Sequence, residues 1–257
     1  MRINQVFVSS VVGSFRNRVY NKYNLSKYFD KNKPAIFFGC YPKNIRIILA
    51  HNSLAVVVWR GSDGYRLKKG NKLYTEIFRR KNIKHIVISS FLEEDLRKWE
   101  VPFISLPICH VPLNQFHHVK LGNKIYIYNY KRRCDLYGQK IIDSVLASLP
   151  EIEFLPTFWG KHSLEDMQSI YKQCFIGLRP IKHDGLSNTV IELGLTGRRC
   201  IYNGSLPNAI HWKSVDDIVS SIREEYKKIG TKNESVAKEV LDYITISDNW
   251  LYTEFYE

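Results

Sequence analysis

Asp184 and Glu192 stand with seven residues between them, and the intervening stretch opens Gly185-Leu186-Ser187-Asn188-Thr189. A strand-like run, CFIGLRP, precedes the pair, and a small-residue helical run, NTVIELGL, carries the second acid. The acids therefore bracket a junction where a strand and loop hand over to a helix. Gly185 lets the backbone come close to a ligand, and the first free N–H groups of the helix, around Ser187, Asn188 and Thr189, form a site for an anion such as a diphosphate. Glu192, about one turn into the helix, can accept hydrogen bonds from two neighbouring hydroxyls, as a ribose presents them. Asp184, before the turn, can do the same for a sugar ring. Spacing alone fits a second account equally well, in which the acids merely complement the positive end of a helix.

Counter-charges for a diphosphate stand at the ends of apolar runs. Lys131, Arg132 and Arg133 follow KIYIYNY, and Arg179 follows CFIGL. In the first half, WRGSDG closes the run LAVVVWR and places Asp63 at a strand end. As a plain turn, Ser62-Asp63-Gly64 is explained as well by backbone preference. Gly13, in Val12-Gly13-Ser14, offers a loop for close approach to a diphosphate, and Phe158-Trp159-Gly160 offers a flat surface for a base. His110, His117, His118 and His211 lack metal-ligand spacing with acid or thiol partners. No GxSxG, GxxxxGK[ST] or CxxC motif is present, which argues against hydrolase, P-loop and thioredoxin-like chemistry.

These residues need a scaffold that brings strand ends together. Strands read at NQVFVSS, AIFFGCY, LAVVVWR, KHIVISS and PFISLPI, with helices at residues 44–50, 69–80 and 91–99 between them, the last capped by Ser90 with Glu93 three residues on. The alternation lapses over CHVPLNQFHHVKLG. It resumes as strand KIYIYNY, helix 136–149, strand IEFLPTF, helix 164–173, strand CFIGLRP, helix 188–195, strand RCIYN and a helix opened by Ser214 with Asp216 and Asp217. The expected organisation is a first doubly wound unit over residues 1–112, a linker at 113–122 and a second unit over 123–240. A C-terminal helix at 241–257 is expected to pack back on the first unit. The fold class is α/β, two Rossmann-like doubly wound domains facing a cleft, with ligands at the carboxyl ends of the strands.

At 257 residues and 44% hydrophobic, the chain can bury two small cores, which excludes a disordered or coiled-coil protein. The formal charge of +13 favours anionic partners: nucleotides, nucleic acid or an acidic membrane surface. Much of it lies in the first half, near residue 31 and in residues 66–72 and 78–85. Five scattered cysteines suit reduced, buried thiols and a cytoplasmic setting, in a host cytoplasm if the protein is viral. The opening MRINQVFVSS reads as a first strand rather than a signal peptide, and no run approaches the roughly 20 apolar residues of a membrane span.

The stretch FIGLRPIKHDGLSNTVIELGLTGRRCIYNG is similar to the C-terminal domain of family-4-like glycosyltransferases of the GT-B fold. There an acid, a Gly-Leu turn, a second acid after seven residues and a small-residue helix ending in glycine occur in this order. Asp184 stands where that family usually has Glu, and Tyr137-Gly138 where it has Lys-Gly. The resemblance runs from Lys124 to about Tyr226, and the first half matches by architecture alone; its domain is short for the family.

The resemblance implies retaining transfer of a hexose from a nucleoside diphosphate sugar, a UDP-sugar favoured, to a glycan or lipid-linked acceptor. No metal is expected, with Lys131, Arg132 and Arg179 answering the diphosphate, Glu192 holding the ribose, and Asp184 and Asp63 at the sugar. Two other readings fit the residues: a phage-type DNA glucosyltransferase for hydroxymethylated bases, and a non-catalytic binder of nucleotide sugars or nucleic acid. Peripheral membrane contact through the basic runs is a further expectation.

Overall fold

The computed structural model of the chain describes residues 3–67, 71–128, 134–158, 162–245 and Trp250. It divides into two compact units. The first comprises Met1–His110 with Asp184–Leu186 and Ile246–Glu257, the second Val111–His183 with Ser187–Thr245.

In the first unit, β1 (Gln5–Val8) leads through a 3-10 turn (Ser10–Phe15) into α1 (Arg16–Tyr23) and the short β2 (Ser26–Lys27). There follow β3 (Ala35–Phe38), α2 (Pro42–Leu49), β4 (Ala55–Trp59), α3 (Lys72–Arg79), β5 (Ile83–Val87), α4 (Ser90–Arg97) and β6 (Ile104–Ser105). The strands form one parallel sheet in the order β2-β1-β3-β4-β5-β6. AIFF of β3 and AVVVW of β4 are buried at every residue, as strands covered by helices on both faces must be. Register sets Val8 beside Phe38 and Phe38 beside Val58, so the loops after β1, β3 and β4 leave the sheet at one level.

The second unit opens with a 3-10 turn (Leu113–Gln115) and continues β7 (Lys124–Tyr128), α5 (Cys134–Tyr137), α6 (Gln139–Ser148), β8 (Phe154–Thr157), α7 (Leu164–Lys172) and β9 (Cys174–Leu178). It closes with α8 (Asn188–Leu195), β10 (Arg199–Ile201), β11 (Ala209–Ile210), α9 (Val215–Tyr226) and α10 (Glu234–Thr245). Its parallel sheet has the order β11-β10-β9-β7-β8. Ile125, Ile127, Phe175, Ile176 and Leu178 of the central strands pack with Ile142 and Val145 of α6 and Ile218 and Ile222 of α9 in one apolar core.

Several elements depart from the sequence reading. Helix α2 begins at Pro42, a residue suited to the first helical position, where its missing N–H costs nothing. α3 starts at Lys72 because the Asn71 side chain caps it, accepting from Leu73 N. Ser90 is inside α4 rather than its cap. Ser89 occupies the cap position, and its hydroxyl donates to the Asp184 carbonyl at 3.2 Å instead of serving its own helix.

The single helix expected over 136–149 is two, broken at Gly138. That residue has φ +70°, and a Cβ there would run into the Pro180 carbonyl. α1 went unread because RNRVYNKY buries only Val19 and Tyr23. α10, which buries Val236, Ala237, Val240 and Ile244, runs through residue 240 to Thr245. It lies close on α8, where a Cβ on Gly194 would stand 2.6 Å from Val240 Cγ2. Of the rest of the terminal segment only Trp250 is described; it is buried, edge-on to Tyr23 at 5.9 Å.

The segment expected as a linker is fastened to the second unit. Arg198, fully buried, donates through its guanidinium to the carbonyls of Val119, Lys120, Cys174 and Thr196, while Leu121 N bonds to Thr231 O and Gly122 N to Cys174 O. Arg198 thus ties the backbone of residues 119 and 120 and the carbonyl of Thr196 to the first residue of β9. Cys40, Cys109, Cys174 and Cys200 are buried free thiols. Among the described residues no helix is long and apolar enough to cross a membrane.

Candidate functional site

A parallel sheet binds ligands where its strand order reverses, outside the carboxyl ends of the two strands flanking the reversal. In the second unit that point lies between β7 and β9, because the chain runs from β7 outward to β8 and then crosses to β9 on the other side. Tyr128 ends β7 and Arg179 directly follows β9. The Arg179 guanidinium lies 5.0 Å from the centre of the Tyr128 ring and 5.3 Å from that of Tyr137, and the two rings meet edge-to-face at 5.5 Å. Its backbone N–H is tied to Ile201 O, and the side chain is 8% exposed. A planar cation held on aromatic faces keeps its orientation as well as its charge.

From the same end of β9 the chain proceeds to α8. Ser187 caps this helix, its hydroxyl accepting from Val190 N at 3.4 Å. Asn188 and Thr189 are half-buried in its first turn, where N–H groups lack partners within the helix. Glu192 is 8% exposed, and its Oε2 accepts a 2.7 Å hydrogen bond from the Tyr171 hydroxyl of α7. Burial and the neighbouring Tyr126 and Glu192 push the Tyr171 pKa well up, so it stays a donor. Arg179, Ser187, Asn188, Thr189 and Glu192 therefore share one end of one strand. Lys131 and Arg132, with Arg133, lie outside the described residues, as do Trp159 and Gly160; Phe158 is exposed at the end of β8.

Asp184, Gly185 and Leu186 cluster with the first unit. Gly61, at φ +128°, and Gly185 touch backbone to backbone: a Cβ on Gly61 would stand 2.7 Å from Gly185 N, and one on Gly185 would strike Arg60 O. No side chain fits at either position. Asp184 is half-buried, with Oδ1 accepting from Gly185 N at 2.9 Å, and Leu186 is buried.

The first sheet reverses between β1 and β3. Gly13 lies in the turn after β1, and a Cβ there would meet only Arg16 Nη2 at 3.7 Å, so sterics alone do not demand glycine. Asp63, in the loop after β4, is fully buried, and its carboxylate accepts from the backbone N–H groups of Cys40, Arg60, Gly61 and Gly64 at 2.8–3.1 Å. Burial raises its pKa and these amides oppose the rise. The carboxylate joins the β3 and β4 loops to one another instead of pointing outward.

Beside it, Arg60 lies over Phe15 and Phe38 at 5.5 and 5.9 Å. His110 packs on the same two rings and is 4% exposed, with no hydrogen-bond partner for either ring nitrogen. Burial, then Arg60, Lys22 and Arg18, hold its pKa well below the ordinary value. Among the described residues no group of three or more His, Cys, Asp or Glu is arranged to hold a metal ion.

Tyr128, Tyr171 and Arg60 were not singled out in the sequence as parts of these strand ends, and Tyr137 was noted only as standing in place of a lysine. Tyr128 was legible as the last residue of KIYIY; Tyr171, in LEDMQSIYK, looks like an ordinary core residue until its hydroxyl is seen to reach a carboxylate.

No family model matches the sequence, and no curated protein does. Solved structures do. The chain superposes on an S. aureus TarM mutant in complex with fondaparinux, α-GlcNAc-glycerol and UDP with a TM-score of 0.61 at 13% identity, covering 92% of this chain and 58% of that one. Its fold is of the GT-B type. A further TarM structure gives 0.57 at 12% identity, with 93% and 58% covered, and sucrose-phosphate synthase from Thermosynechococcus elongatus gives 0.56 at 14%, with 94% and 76% covered. The chain thus spans 58% of the length of TarM, and within that length keeps both GT-B sheets.

Proposed function

We propose that this chain is a glycosyltransferase that takes a hexose from a nucleoside diphosphate sugar, with UDP-sugars favoured, and passes it to a glycan or lipid-linked acceptor. The observation that carries the reading is the convergence at the carboxyl end of β9 of a stacked cation, Arg179, and a helix N-terminus, that of α8, with Glu192 one turn in. The fold it shares with TarM, whose structure was determined with UDP, supports the choice of ligand.

In this reading the diphosphate rests on the N–H groups at Ser187, Asn188 and Thr189 and on Arg179, joined by Lys131 and Arg132. Protein cations then do the work a metal does elsewhere. Glu192 accepts from the ribose hydroxyls and Asp184 from the sugar ring, with Gly185 and Leu186 shaping the turn between. The bond from the sugar's anomeric carbon to the diphosphate oxygen breaks, and one to the acceptor oxygen forms on the same face of the ring. The departing diphosphate takes the acceptor's proton, so no protein base is required.

Incubation with UDP- and GDP-sugars, with and without glycan and lipid-linked acceptor mixtures, tests the reading by nucleotide release. Release by the wild type that falls at least tenfold in Arg179→Met and Glu192→Gln is the expected result. Binding of UDP without release from any donor would make the chain a nucleotide-sugar binder instead. Release that appears only with hydroxymethylated DNA would move the acceptor to nucleic acid.

A further inference from the structure

Four buried hydroxyl and carboxyl groups of the second unit form two hydrogen-bonded pairs, Thr157 with Tyr126 and Tyr171 with Glu192, joined through the contact of the two tyrosine rings. The Thr157 hydroxyl, at the end of β8, lies 2.7 Å from the Tyr126 hydroxyl of β7. The rings of Tyr126 and Tyr171 meet edge-to-face at 5.1 Å, and Tyr171 donates to Glu192 Oε2 at 2.7 Å. All four side chains are less than a tenth exposed. Phe116, in the segment before β7, packs beside the Tyr171 ring at 6.2 Å.

An ionised carboxylate only accepts, so the Tyr171 proton goes to Glu192. The low-dielectric surroundings strengthen this bond. α7 is thereby tied to the carboxylate of α8, and the Thr157–Tyr126 pair, which joins β8 to β7, braces the Tyr171 ring.

We propose that Tyr171, backed by Tyr126 and Thr157, is the positioning residue for Glu192. It fixes the plane of the carboxylate so that the ribose of a nucleoside diphosphate finds its acceptor already oriented, and this rests on the donor reading of Glu192 given above. A preorganised acceptor loses less freedom on binding. A mobile one would bind the diphosphate as well but distinguish ribose from deoxyribose poorly.

The test is the ratio of affinities for UDP and its 2′-deoxy analogue, measured calorimetrically on the whole chain. Being a ratio within one protein, it is unmoved by a general loss of stability. The wild type is expected to favour UDP by about tenfold or more, the order of one hydrogen bond to a charged group. Tyr171→Phe, which keeps the ring and removes the donor, is expected to bring the preference to within about threefold, on the same scale. Thr157→Val, which loosens the Tyr126 ring that braces Tyr171, is expected to reduce it part of the way, and carries the test if Tyr171→Phe does not fold. A wild-type preference that survives both substitutions overturns the positioning role alone. A wild type that binds UDP and its deoxy analogue equally removes the ribose role of Glu192, and with it the reading beneath this one.

Discussion

The Tyr171 hydroxyl donates to Glu192 Oε2 at 2.7 Å, and both groups are buried. Glu192 is therefore part of the fold of the second unit as well as its proposed ligand contact. Truncation to Ala leaves the Tyr171 donor facing no acceptor, a loss of about 1–3 kcal/mol. Glu192→Gln retains a carbonyl oxygen for Tyr171 but loses the charge. Both variants are expected to weaken UDP binding about tenfold, on the scale of one charge-assisted hydrogen bond. Thermal unfolding without ligand should separate them, with Glu192→Ala well below the wild type and Glu192→Gln between. Equal melting temperatures for all three would show that the tyrosine contact contributes nothing to stability.

Asp63 gathers amides from two loops of the first unit. Asp63→Asn turns one oxygen into an NH2 group facing N–H donors, so at least one amide loses its acceptor while another meets a donor. A destabilisation of about 2–4 kcal/mol is expected, from more than one hydrogen bond to a charged acceptor. Urea unfolding of the variant measures it; a change under about 0.5 kcal/mol, the size of an ordinary surface substitution, would place the carboxylate outside the loop's framework.

His85 and His110 are buried and neutral. Burial lowers His85 to about 4, with Trp59 Nε1 donating to its Nδ1, and burial together with three nearby cations holds His110 well below 6.5. Since both folded values lie below the unfolded value of 6.5, the unfolded chain binds the extra protons. Their stabilising effect is complete above pH 6.5 and falls as pH drops below it, for His85 down to about 4. The slope is up to about 1.4 kcal/mol per pH unit for each group. His110→Phe removes one titrating group from an aromatic setting without removing a hydrogen bond. The urea midpoint of this variant should fall less steeply between pH 6.5 and 5 than that of the wild type; parallel profiles would exclude His110 as a source.

Arg198 gathers the carbonyls of residues 119 and 120 onto the second sheet, and burial lowers its pKa only to about 10, so it remains charged at neutral pH. Arg198→Met matches its length and leaves those carbonyls without a donor. The expected effect is a destabilisation of about 3 kcal/mol, as for other groups whose loss orphans buried polar atoms. Hydrogen exchange at Leu121 and Gly122, whose amides bond to Thr231 and Cys174, should accelerate by more than at the β9 amides. Uniform acceleration would mean that the arginine supports the whole unit rather than this segment.

Local sequence determined the strands and most helices. AIFF and AVVVW, apolar at every position, can only be strands covered on both faces. NTVIELGL begins at Asn188 because Ser187 caps it, a rule that operates within four residues. The loop–helix junction with two acids was legible for the same reason, since a helix N-terminus and a nearby carboxylate are local objects. The break between α5 and α6 depended instead on the Pro180 carbonyl that a Cβ at residue 138 would strike, and pattern cannot supply that.

Only the tertiary structure decided what each polar group faces. Asp63 looked like an outward acid at a strand end, yet four amides from two loops turn it inward. Tyr171 and Tyr128 belong to no motif in the sequence, yet one holds Glu192 and the other seats Arg179. Hydrogen bonds and cation–aromatic contacts act over a few ångströms between residues tens of positions apart, so the chain's order does not contain them until the strands are paired.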